Sequence, residues 1–400
     1  MAYLLEGIRV IDAASFLAGP GAATVLADYG ADVIKVEPPG GDGYRKLVGP
    51  YPVPYHWQLT SRNKRSIALD ISRPEGQDVL HRLVAGADVI LTNFLENQLE
   101  RFRMTYDEIR GINPRIVFAQ LTGYGTEGPE FKRKGFDITA WWGRSGLMDF
   151  VRDQGQTPLH PAPGMGDHAT AMSMYSAVMT GLYRRERTGV GCRVSTSLAA
   201  NGVWANGMAV QGVIAGMDLG AYKQQRGWTN PLTSAYPTSD GCFVTLAIIN
   251  PAREWPLLAE ALGHPEWLDK QQFGDHLTLM QKRRALIAAI GEVTAQFTQR
   301  ELMECLDAQG VTCGVVAPMG DVVHDEQLRA NGVVVETGDP GEDYRLTVNS
   351  PIEVAEEPKR PPSRAPDIGA QTREIMREAG YSEDTIDNLL ASGVLVAAGE

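Results

Sequence analysis

The chain has 400 residues, of which 43% are hydrophobic, and its formal net charge is -12 at pH 7. Such a chain can bury a large core, and its length suggests about two or three domains. The acidic balance argues against a nucleic-acid partner, because proteins that bind nucleic acids carry a basic surface. No apolar run approaches the length of a membrane helix and the N-terminus lacks the layout of a signal peptide, so we expect a cytoplasmic protein without a membrane partner.

The cysteines and histidines show no spacing typical of a metal site. Cys192, Cys242, Cys305 and Cys313 lie far apart, and the seven histidines include no His-x-x-x-His pair. We therefore expect reduced thiols and no bound metal.

The first 125 residues alternate β-branched runs with helical stretches, which is typical of βαβ units that build a parallel sheet. Helices are predicted at residues 21–29 and 74–85. Because ligands of such sheets bind beyond the carboxyl ends of the strands, the turns after these strands are candidate binding sites. The pattern therefore predicts a doubly wound α/β fold. The predicted strands are Ile8–Asp12, Asp32–Glu37, Ser66–Asp70, Asp88–Asn93 and Arg115–Leu121.

A differently patterned unit follows a long predicted helix at Gly166–Arg185 and a strand at Arg193–Leu198. Residues 220–241 are predicted to be rich in loops, and the proline-rich segment 358–366 is expected to be extended on the surface. The remaining predicted elements are strands at Cys242–Ile249 and Val311–Val316 and helices at 252–262, 280–297, 300–309 and 382–391.

One acid stands out because of its setting. Asp167 follows Gly166 and opens a long, mostly apolar helical run. Glycine removes a side chain that would crowd a ligand, and the free N–H groups of a helix start favour an anion or a developing oxyanion. Aspartate is also an ordinary N-cap residue. The residues alone therefore leave two interpretations of Asp167, a helix cap and a catalyst.

The turn Ala18–Gly21 contains the Gly-x-Gly of a dinucleotide site, but Thr24 stands where a third glycine is expected. Pro20 suits a first helical position, which explains the turn structurally. In so acidic a chain, basic clusters near the predicted turns favour a phosphorylated ligand. These clusters are Lys64-Arg65, Arg101 with Arg103, and Lys132-Arg133-Lys134.

Motifs along nearly the whole chain resemble those of the class III CoA-transferase family, the CaiB/BaiF-like group. The resemblance implies a large domain at 1–218, a small inserted α+β domain with its linker at 219–328, and a segment at 329–400 that returns to the large domain. It also implies a homodimer of two interlocked chains. The motifs are Leu5–Asp12, Ala18–Pro20, Gly30–Glu37, Asn63–Ile67, Asn93-Phe94, Gly123–Gly125 and Gly166-Asp167.

The resemblance implies that Asp167 is the catalytic residue and that coenzyme A is a substrate, with no permanently bound cofactor. Some members have an arginine after the second strand, where this chain has Pro38-Pro39, so Arg45 is expected to take over a phosphate contact. The substrate pocket is expected to include Phe136, Asp137, Trp142 and His168. The CoA contacts that the resemblance implies are Phe16, Leu17, Ala18, Lys64, Asn93, Phe94, Arg101, Phe102 and Lys134.

The resemblance implies transfer of CoA from an acyl-CoA donor to a free carboxylic acid through an aspartyl-CoA thioester at Asp167. A second hypothesis is a 2-methylacyl-CoA racemase or epimerase, which needs a base on each side of the α-carbon. Related racemases carry His-Asp where this chain has Phe136-Asp137, which favours transfer. A third hypothesis is a CoA-binding protein without chemistry, in which Asp167 is only a cap.

The acid that accepts CoA is less defined by the residues. Related formyl-CoA transferases close a glycine-rich loop over the site, and Arg226–Pro231 contains no such run, which argues against oxalate. Residues Phe118–Gly125 and Gly166–His168 resemble the branch that handles aryl or branched 2-hydroxy acids and their unsaturated products. We therefore expect a medium-sized apolar, aryl or branched acid.

Overall fold

A computed structural model of the chain describes residues 2–47, 51, 53–153, 155–224, 230–270, 272–273 and 276–399. The chain divides into two compact units. One unit comprises Met1–Arg152, Gln156–Gln211 and Gly332–Glu400, and the other comprises Asp153–Gly155 and Gly212–Asn331. The boundaries expected from the resemblance, after residues 218 and 328, lie a few residues away from these divisions.

The strands are short and rich in β-branched residues. The strands of the two units are Arg9–Asp12 (β1), Asp32–Glu37 (β2), Arg65–Leu69 (β3), Val89–Thr92 (β4), Val117–Thr122 (β5), Cys192–Ser197 (β6), Ala235–Pro237 (β7), Phe243–Leu246 (β8), Cys313–Val316 (β9), Val334–Glu336 (β10), Leu346–Val348 (β11) and Leu395–Val396 (β12). In the first unit, a seven-stranded sheet has the order β12-β3-β2-β1-β4-β5-β6, in which β12 pairs antiparallel with β3 and the other pairs are parallel.

Helices cover both faces of this sheet and bury its apolar side chains. The α-helices of the two units together are Ala18–Asp28 (α1), Tyr55–Ser61 (α2), Pro74–Ala85 (α3), Glu96–Arg101 (α4), Tyr106–Ile112 (α5), Leu147–Phe150 (α6), Met165–Thr188 (α7), Leu198–Ala205 (α8), Gly207–Ile214 (α9), Leu219–Gln224 (α10), Pro251–Ala261 (α11), His276–Gln281 (α12), Arg283–Thr294 (α13), Gln299–Gln309 (α14), Glu326–Ala330 (α15), Thr372–Glu378 (α16) and Glu383–Ala391 (α17). Leu26 of α1 and Met174 of α7 belong to the core on one face, whereas Leu80 of α3 and Met376 of α16 belong to the core on the other. The doubly wound α/β prediction is therefore confirmed.

Small residues on α1 allow it to pack closely against α7. Ala22, Ala23 and Ala27 of α1 are fully buried. A Cβ added at Gly21 would lie 3.2 Å from the Cβ of Ala171, so a larger residue there would push the two helices apart. This close packing brings the first turn of α7 beside the connection between β1 and α1.

The second unit has its own core and a different architecture. Strands β7, β8 and β9 form an antiparallel sheet in that order. Side chains of the sheet and of α11, α13 and α14, including Tyr236, Leu258, Ile290 and Leu302, form one apolar cluster. The region 220–241, predicted to be rich in loops, also contains part of α10 and all of β7.

The C-terminal segment completes the first unit. Residues 358–366 have no regular secondary structure, and Arg360 attaches them to the end of α1. Its backbone N–H donates to the Asp28 carbonyl at 2.7 Å, and its guanidinium donates to the Gly30 carbonyl at 2.8 Å. Among the described residues, no helix combines the length and the apolar character that a bilayer span requires.

Candidate active site

A cavity of about 340 Å³ lies at the carboxyl ends of β1, β4, β5 and β6, beside the start of α7. This size and position are typical of small-molecule sites in doubly wound sheets. A larger hollow of about 730 Å³ runs along residues 335–362 but lies away from these strand ends. The residues that line the smaller cavity are Ser15, Phe16, Leu17, Ala18, Asn93, Phe94, Leu95, Gln98, Leu121, Thr122, Gly123, Lys134, Gly135, Phe136, Asp167 and Leu198.

Asp167 lies in the first turn of α7, and its carboxyl group faces this cavity. The capping position is Gly164, whose φ of 75° is left-handed, and no side chain makes a cap hydrogen bond. Asp167 is therefore not the N-cap residue that one interpretation of the sequence required. Within the described part of the chain, its half-buried carboxyl group has no hydrogen-bond or ion-pair partner.

The electrostatic surroundings of Asp167 differ from those of an ordinary helix-start acid. Burial, followed by the negative charge of Asp137, raises the pKa of Asp167 to about 7. The same carboxylate also acts on a neighbour, because burial and then its charge raise the pKa of Tyr44. A perturbed, unpaired carboxyl group in a cleft is a candidate for chemistry.

Asp137 does not line the cavity. Burial raises the pKa of Asp137, and backbone N–H groups of Gly164 and Gly166 at the start of α7 partly offset this rise. Asp137 is buried, and its Oδ1 has no hydrogen-bond partner among the described residues. A Cβ added at Gly166 would lie 2.3 Å from this Oδ1 and 2.4 Å from the Trp141 ring. Gly166 therefore makes room for these two side chains, rather than for an incoming ligand as its position in the sequence suggested.

The connection between β1 and α1 forms one wall of the cavity. The Asn93 amide holds this wall, because the Ser15 N–H donates to its Oδ1 at 3.0 Å and its Nδ2 donates to the Ser15 carbonyl at 2.9 Å. Phe16 follows with a φ of 65°, a left-handed conformation that is rare for a bulky residue. The predicted contacts Phe16, Leu17, Ala18 and Asn93 are therefore brought together at one wall.

A second cavity of about 220 Å³ shares Ser15, Phe94 and Gln98 with the first. Phe102 lines it, with its ring centroid 5.3 Å from that of Phe94. The guanidinium carbon of Arg101 lies 5.5 Å from the Phe102 ring centroid. Aromatic faces beside a guanidinium group can hold a planar base and a phosphate.

Lys64 does not reach either cavity, contrary to the expectation from the resemblance. Its ammonium group is buried and donates to Asp12 Oδ2 at 2.8 Å and to the carbonyls of Pro20 and Thr60, both at 2.7 Å. These contacts use all of its donors. Burial lowers the pKa of Lys64 to about 8, against the opposing charge of Asp12. The ammonium group of Lys64 therefore stabilises the protein interior.

Arg45 is also bound inward. Its Nε and Nη2 each donate to Glu37 at 2.7 Å, and Nη2 donates to the Pro366 carbonyl at 2.9 Å. The guanidinium carbon lies 3.9 Å from the Trp57 ring centroid. Burial raises the pKa of Glu37, but the hydrogen bonds and charge of Arg45 outweigh it and hold the pKa below its usual value. The Arg45 guanidinium is thus engaged by protein groups, and its expected phosphate contact stays a prediction.

Of the expected substrate-pocket residues, only Phe136 is among those that line the described cavity. Asp137, Trp142 and His168 lie outside its lining. Crowding by protein atoms, followed by the positive charges of Arg62 and His56, lowers the pKa of His168. Residues 226–229 of the loop used to argue against oxalate lie outside the described residues.

Phe136 and Phe16, which line the cavity, belong to a series of aromatic rings. Its other members, Tyr44, His56 and Tyr55, are not among the lining residues and were not singled out by the sequence. The Phe16 ring centroid lies 5.9 Å from that of Phe136 and 6.2 Å from that of Tyr44. The series continues with His56, 5.6 Å from Tyr44, and with Tyr55, 3.8 Å from His56. Phe16, Phe136 and Tyr55 are exposed, so this aromatic strip can receive an apolar group.

The cavity floor contains two further features that the sequence did not reveal. A Cβ added at Gly123 would lie 2.8 Å from the Cα of Gly135, so the two backbones can meet only as glycines. Leu121 and Leu198 stand at the end of β5 and directly after β6. Their positions at strand ends are the signal that could have identified them. Among the described residues, no cluster of His, Cys, Asp and Glu could hold a metal ion.

Comparisons with known proteins identify the family of this chain. The family model described as CoA-transferase family III matches residues 5–372. The (R)-2-hydroxy-4-methylpentanoate CoA-transferase of Clostridioides difficile is 28% identical, covering 98% of this chain and 99% of the relative. The succinyl-CoA:glutarate CoA-transferase of Mus musculus is 31% identical, covering 98% and 90%.

The fold is similar to that of a crystal structure of a CAIB/BAIF family protein from Brucella suis. The TM-score is 0.82 and the sequence identity 27%, with 95% of this chain and 100% of that chain covered. The match of the family model over most of the chain, together with this structural similarity, shows that the chain belongs to CoA-transferase family III.

Proposed function

We propose that the protein transfers CoA from an acyl-CoA donor to a free carboxylic acid through a covalent intermediate on Asp167. The observation that carries this proposal is the unpaired carboxyl group, with a pKa of about 7, at the wall of a cavity beyond the strand ends. A thioester is a suitable electrophile for a carboxylate because thiolate is a good leaving group, and covalent capture divides the exchange into easier steps.

The proposed reaction proceeds in four steps that need no redox change. An Asp167 carboxylate oxygen attacks the donor thioester, forming a mixed anhydride and releasing CoA thiolate. The thiolate attacks the Asp167 carbonyl carbon, forming the aspartyl-CoA thioester and releasing the donor acid as a carboxylate. The acceptor carboxylate attacks this thioester, regenerating a mixed anhydride and the thiolate. The thiolate then attacks the acceptor acyl carbon, which gives the new acyl-CoA and free Asp167.

The start of α7 offers a donor for the oxyanions that form in these steps. The His168 N–H already donates to the Gly164 carbonyl at 2.9 Å, which leaves the N–H of Asp167 as the first candidate. The positive end of the helix dipole points the same way, and its field favours a developing negative charge. Asp167 therefore combines a nucleophile and an oxyanion donor in one residue.

The two connected cavities suit the two ends of coenzyme A. We place the thiol end in the cavity that contains Asp167, and the adenine and phosphates beside Phe94, Phe102 and Arg101. Lys134 lines the first cavity and, among the described residues, has no ion-pair partner, so its ammonium group can meet a negative group of the ligand. CoA is thus held as a substrate.

The exposed rings of the aromatic strip, those of Phe136, Phe16 and Tyr55, favour an apolar acceptor. Exposed aromatic faces gain little from a small polar acid and more from an aryl or branched group that covers them. We therefore propose a medium-sized aryl or branched acid, including 2-hydroxy acids and their unsaturated products. The 2-hydroxy acid in the name of the Clostridioides difficile relative accords with this class.

A racemase or epimerase is the second candidate, and the cavity lining argues against it. Such a reaction needs a base on each side of the α-carbon. The ionisable side chains among the described lining residues are Asp167 and Lys134, and Phe136 stands where related racemases have histidine. The cavity therefore supplies one suitable base and an ammonium group.

We further propose that the protein is a cytoplasmic homodimer with interlocked chains. Trp204 and Met208, on α8 and α9, are 85% and 94% exposed. Large apolar side chains that are exposed side by side typically mark a protein interface, and a second copy of the chain would cover them. The four cysteines are free, as expected in a reducing compartment.

The test is a transfer assay with a panel of acyl-CoA donors and free acids, read by mass spectrometry of the CoA esters. We expect a new CoA ester with an aryl or branched acid, and none with the Asp167→Ala variant. Exchange of the α-proton with deuterated solvent in the absence of an acceptor would instead indicate a racemase. Binding of acyl-CoA without either reaction would indicate a protein that binds CoA without chemistry.

A further inference from the structure

Buried charges lie directly beneath the connection between β1 and α1, and the proposed chemistry does not use them. Asp12, Lys35 and Glu37 are 0% exposed, Asp42 is 2% exposed and Lys64 is 6% exposed. Lys35 pairs with Asp42 at 3.1 Å and Lys64 pairs with Asp12 at 2.8 Å, whereas Glu37 pairs with Arg45 at 2.7 Å. Each acid is thus matched by a cation.

This buried network is bonded to the main chain of the turn above it. Asp12 Oδ1 accepts from the Ala14 N–H at 3.2 Å, and the Lys35 ammonium donates to the Ala14 carbonyl. Lys64 donates to the Pro20 carbonyl at 2.7 Å. The network therefore holds the turn at both of its ends.

Asp42 holds the middle of the turn. Its Oδ1 accepts from the Phe16 N–H at 3.4 Å and from the Tyr44 N–H at 2.9 Å, and its own N–H donates to Glu37 Oε2 at 3.0 Å. Phe16 is the residue with left-handed backbone, which an L-residue with a bulky side chain adopts only when its surroundings hold it there. Tyr44 is its aromatic neighbour in the strip.

We propose that Asp42 is a positioning residue, which holds Phe16 in its left-handed conformation so that the Phe16 ring and the adjacent main chain form the wall of the acyl-CoA cavity. This proposal rests on the proposed function, because it takes an acyl-CoA ester as the ligand of that cavity. Without the Asp42 carboxylate, Phe16 relaxes to a right-handed or extended backbone, and the part of the wall that Phe16 forms is lost before substrate binds, although Asn93 still holds Ser15. Removing the carboxylate should therefore weaken the binding of acyl-CoA rather than slow the chemical step, since Asp42 does not touch the reacting atoms.

The first test compares Asp42→Ala, which removes the acceptor of the Phe16 N–H, with Asp28→Ala. Asp28 is a matched control, because it is also fully buried and paired, with Arg62 at 2.8 Å, but it lies at the other end of α1. We expect the KM for acyl-CoA to rise about tenfold in Asp42→Ala, with kcat changed less than about twofold, and neither to change in Asp28→Ala. An unchanged KM in Asp42→Ala, an equal rise in both variants, or a fall in kcat alone would overturn the proposal.

A double-mutant cycle with Phe16→Gly isolates the backbone effect. Glycine adopts left-handed φ values without strain, so it removes the need for Asp42 to hold this residue. We expect Asp42→Ala to raise the KM by no more than about twofold in the Phe16→Gly background. A tenfold rise in that background would show that Asp42 acts on something other than the Phe16 backbone.

A variant pair that leaves Asp42 intact keeps the proposal testable if Asp42→Ala does not fold. Phe16→Ala and Phe16→Gly both lack the ring but differ in their tolerance of left-handed backbone. We expect equal KM values for acyl-CoA, because Asp42 holds either residue. A clearly higher KM for Phe16→Ala would contradict the proposal.

Hydrogen exchange of the free enzyme separates this proposal from the proposed function. Mass spectrometry of the peptide that contains residues 13–20 should show faster exchange in Asp42→Ala than in Asp28→Ala. This difference is expected whether or not the enzyme transfers CoA to the acids tested. Unchanged exchange in Asp42→Ala would overturn the positioning role, whereas failed transfer by the unaltered enzyme would overturn the proposed function alone.

Discussion

Two groups of acids near the cavity have opposite electrostatic surroundings. Beneath the turn between β1 and α1, Asp12 and Asp42 are each paired with a buried lysine. At the start of α7, Asp137 and Asp167 have no ion-pair partner among the described residues, and each carries a raised pKa caused mainly by burial. The paired acids stabilise the shape of the site, whereas the unpaired acids leave a carboxylate available to react.

The comparison shows why burial alone does not identify a catalytic acid. A buried charge is tolerated when a partner and hydrogen bonds compensate for its lost hydration. Where compensation is missing, the charged form is disfavoured and the carboxylate becomes a stronger base and nucleophile. The absence of a partner therefore distinguishes Asp167 from Asp12 and Asp42.

The largest expected effect follows removal of the unpaired carboxylate. Asp167→Ala should lower the rate of CoA transfer at least about a thousandfold, because no covalent intermediate can form. Binding of acyl-CoA should change little. The matched control is Asp107→Asn, which alters an acid in the first turn of α5. Both variants are compared with the unaltered enzyme by the initial rate at which the new CoA ester forms. An Asp167→Ala enzyme with a near-parental rate would refute the proposed mechanism.

Breaking a pair beneath the turn should act on stability. Lys64→Met leaves Asp12 as an uncompensated buried charge, which should lower the free energy of unfolding by about 3 to 5 kcal/mol. Urea denaturation followed by circular dichroism measures this loss. Lys134→Met provides the control, since Lys134 is exposed and should leave the free energy of unfolding unchanged. An equal free energy of unfolding in Lys64→Met and Lys134→Met would contradict the role of Lys64 as the buried partner of Asp12.

The pH dependence should report the raised pKa of Asp167. Only the ionised carboxylate attacks the thioester, so kcat/KM should fall about tenfold for each pH unit below about 7. Removing the negative charge in Asp137→Asn should move this midpoint to lower pH, because repulsion from Asp137 contributes to the shift. Steady-state rates of both enzymes between pH 5 and pH 9 measure these effects. A kcat/KM of the unaltered enzyme that stays constant down to pH 5 would contradict the raised pKa of Asp167.

The smallest expected effect concerns the exposed lysine at the cavity. Lys134→Ala should raise the KM for acyl-CoA about fivefold, in keeping with one exposed contact to a negative group. Its neighbour Lys132 is exposed but does not line the cavity, so Lys132→Ala is the control. Saturation kinetics with a fixed acceptor compare the two variants. The same KM in both would remove Lys134 from the proposed binding site.

The fold could be predicted well from the sequence because its strands carry a local signal. The predicted strand Asp32–Glu37 has the observed bounds, and the predicted helix Gly166–Arg185 lies within α7. Strand β12 was missed because two residues provide no pattern. It exists because Leu395 and Val396 pair with β3, far away in the sequence, and so form an edge of the sheet.

The residues of the candidate site could be predicted from the sequence only where their position directly after a strand places them at the cavity. Asn93 and Phe94 follow a strand, so the sheet places them at the cavity. Lys64 also lies next to a strand, but its buried partner Asp12 is 52 residues away and pulls its ammonium group inward. Tyr44 and His56 were missed because their neighbourhood depends on how the chain after β2 folds back over Phe16.

The most direct measurement is covalent trapping on Asp167. The enzyme is incubated with acyl-CoA alone, treated with hydroxylamine or borohydride, digested and mapped by mass spectrometry. The proposed mechanism predicts a hydroxamate or a reduced side chain at Asp167 that depends on acyl-CoA. An unmodified Asp167 in an enzyme that is transferring CoA under the same conditions would contradict it.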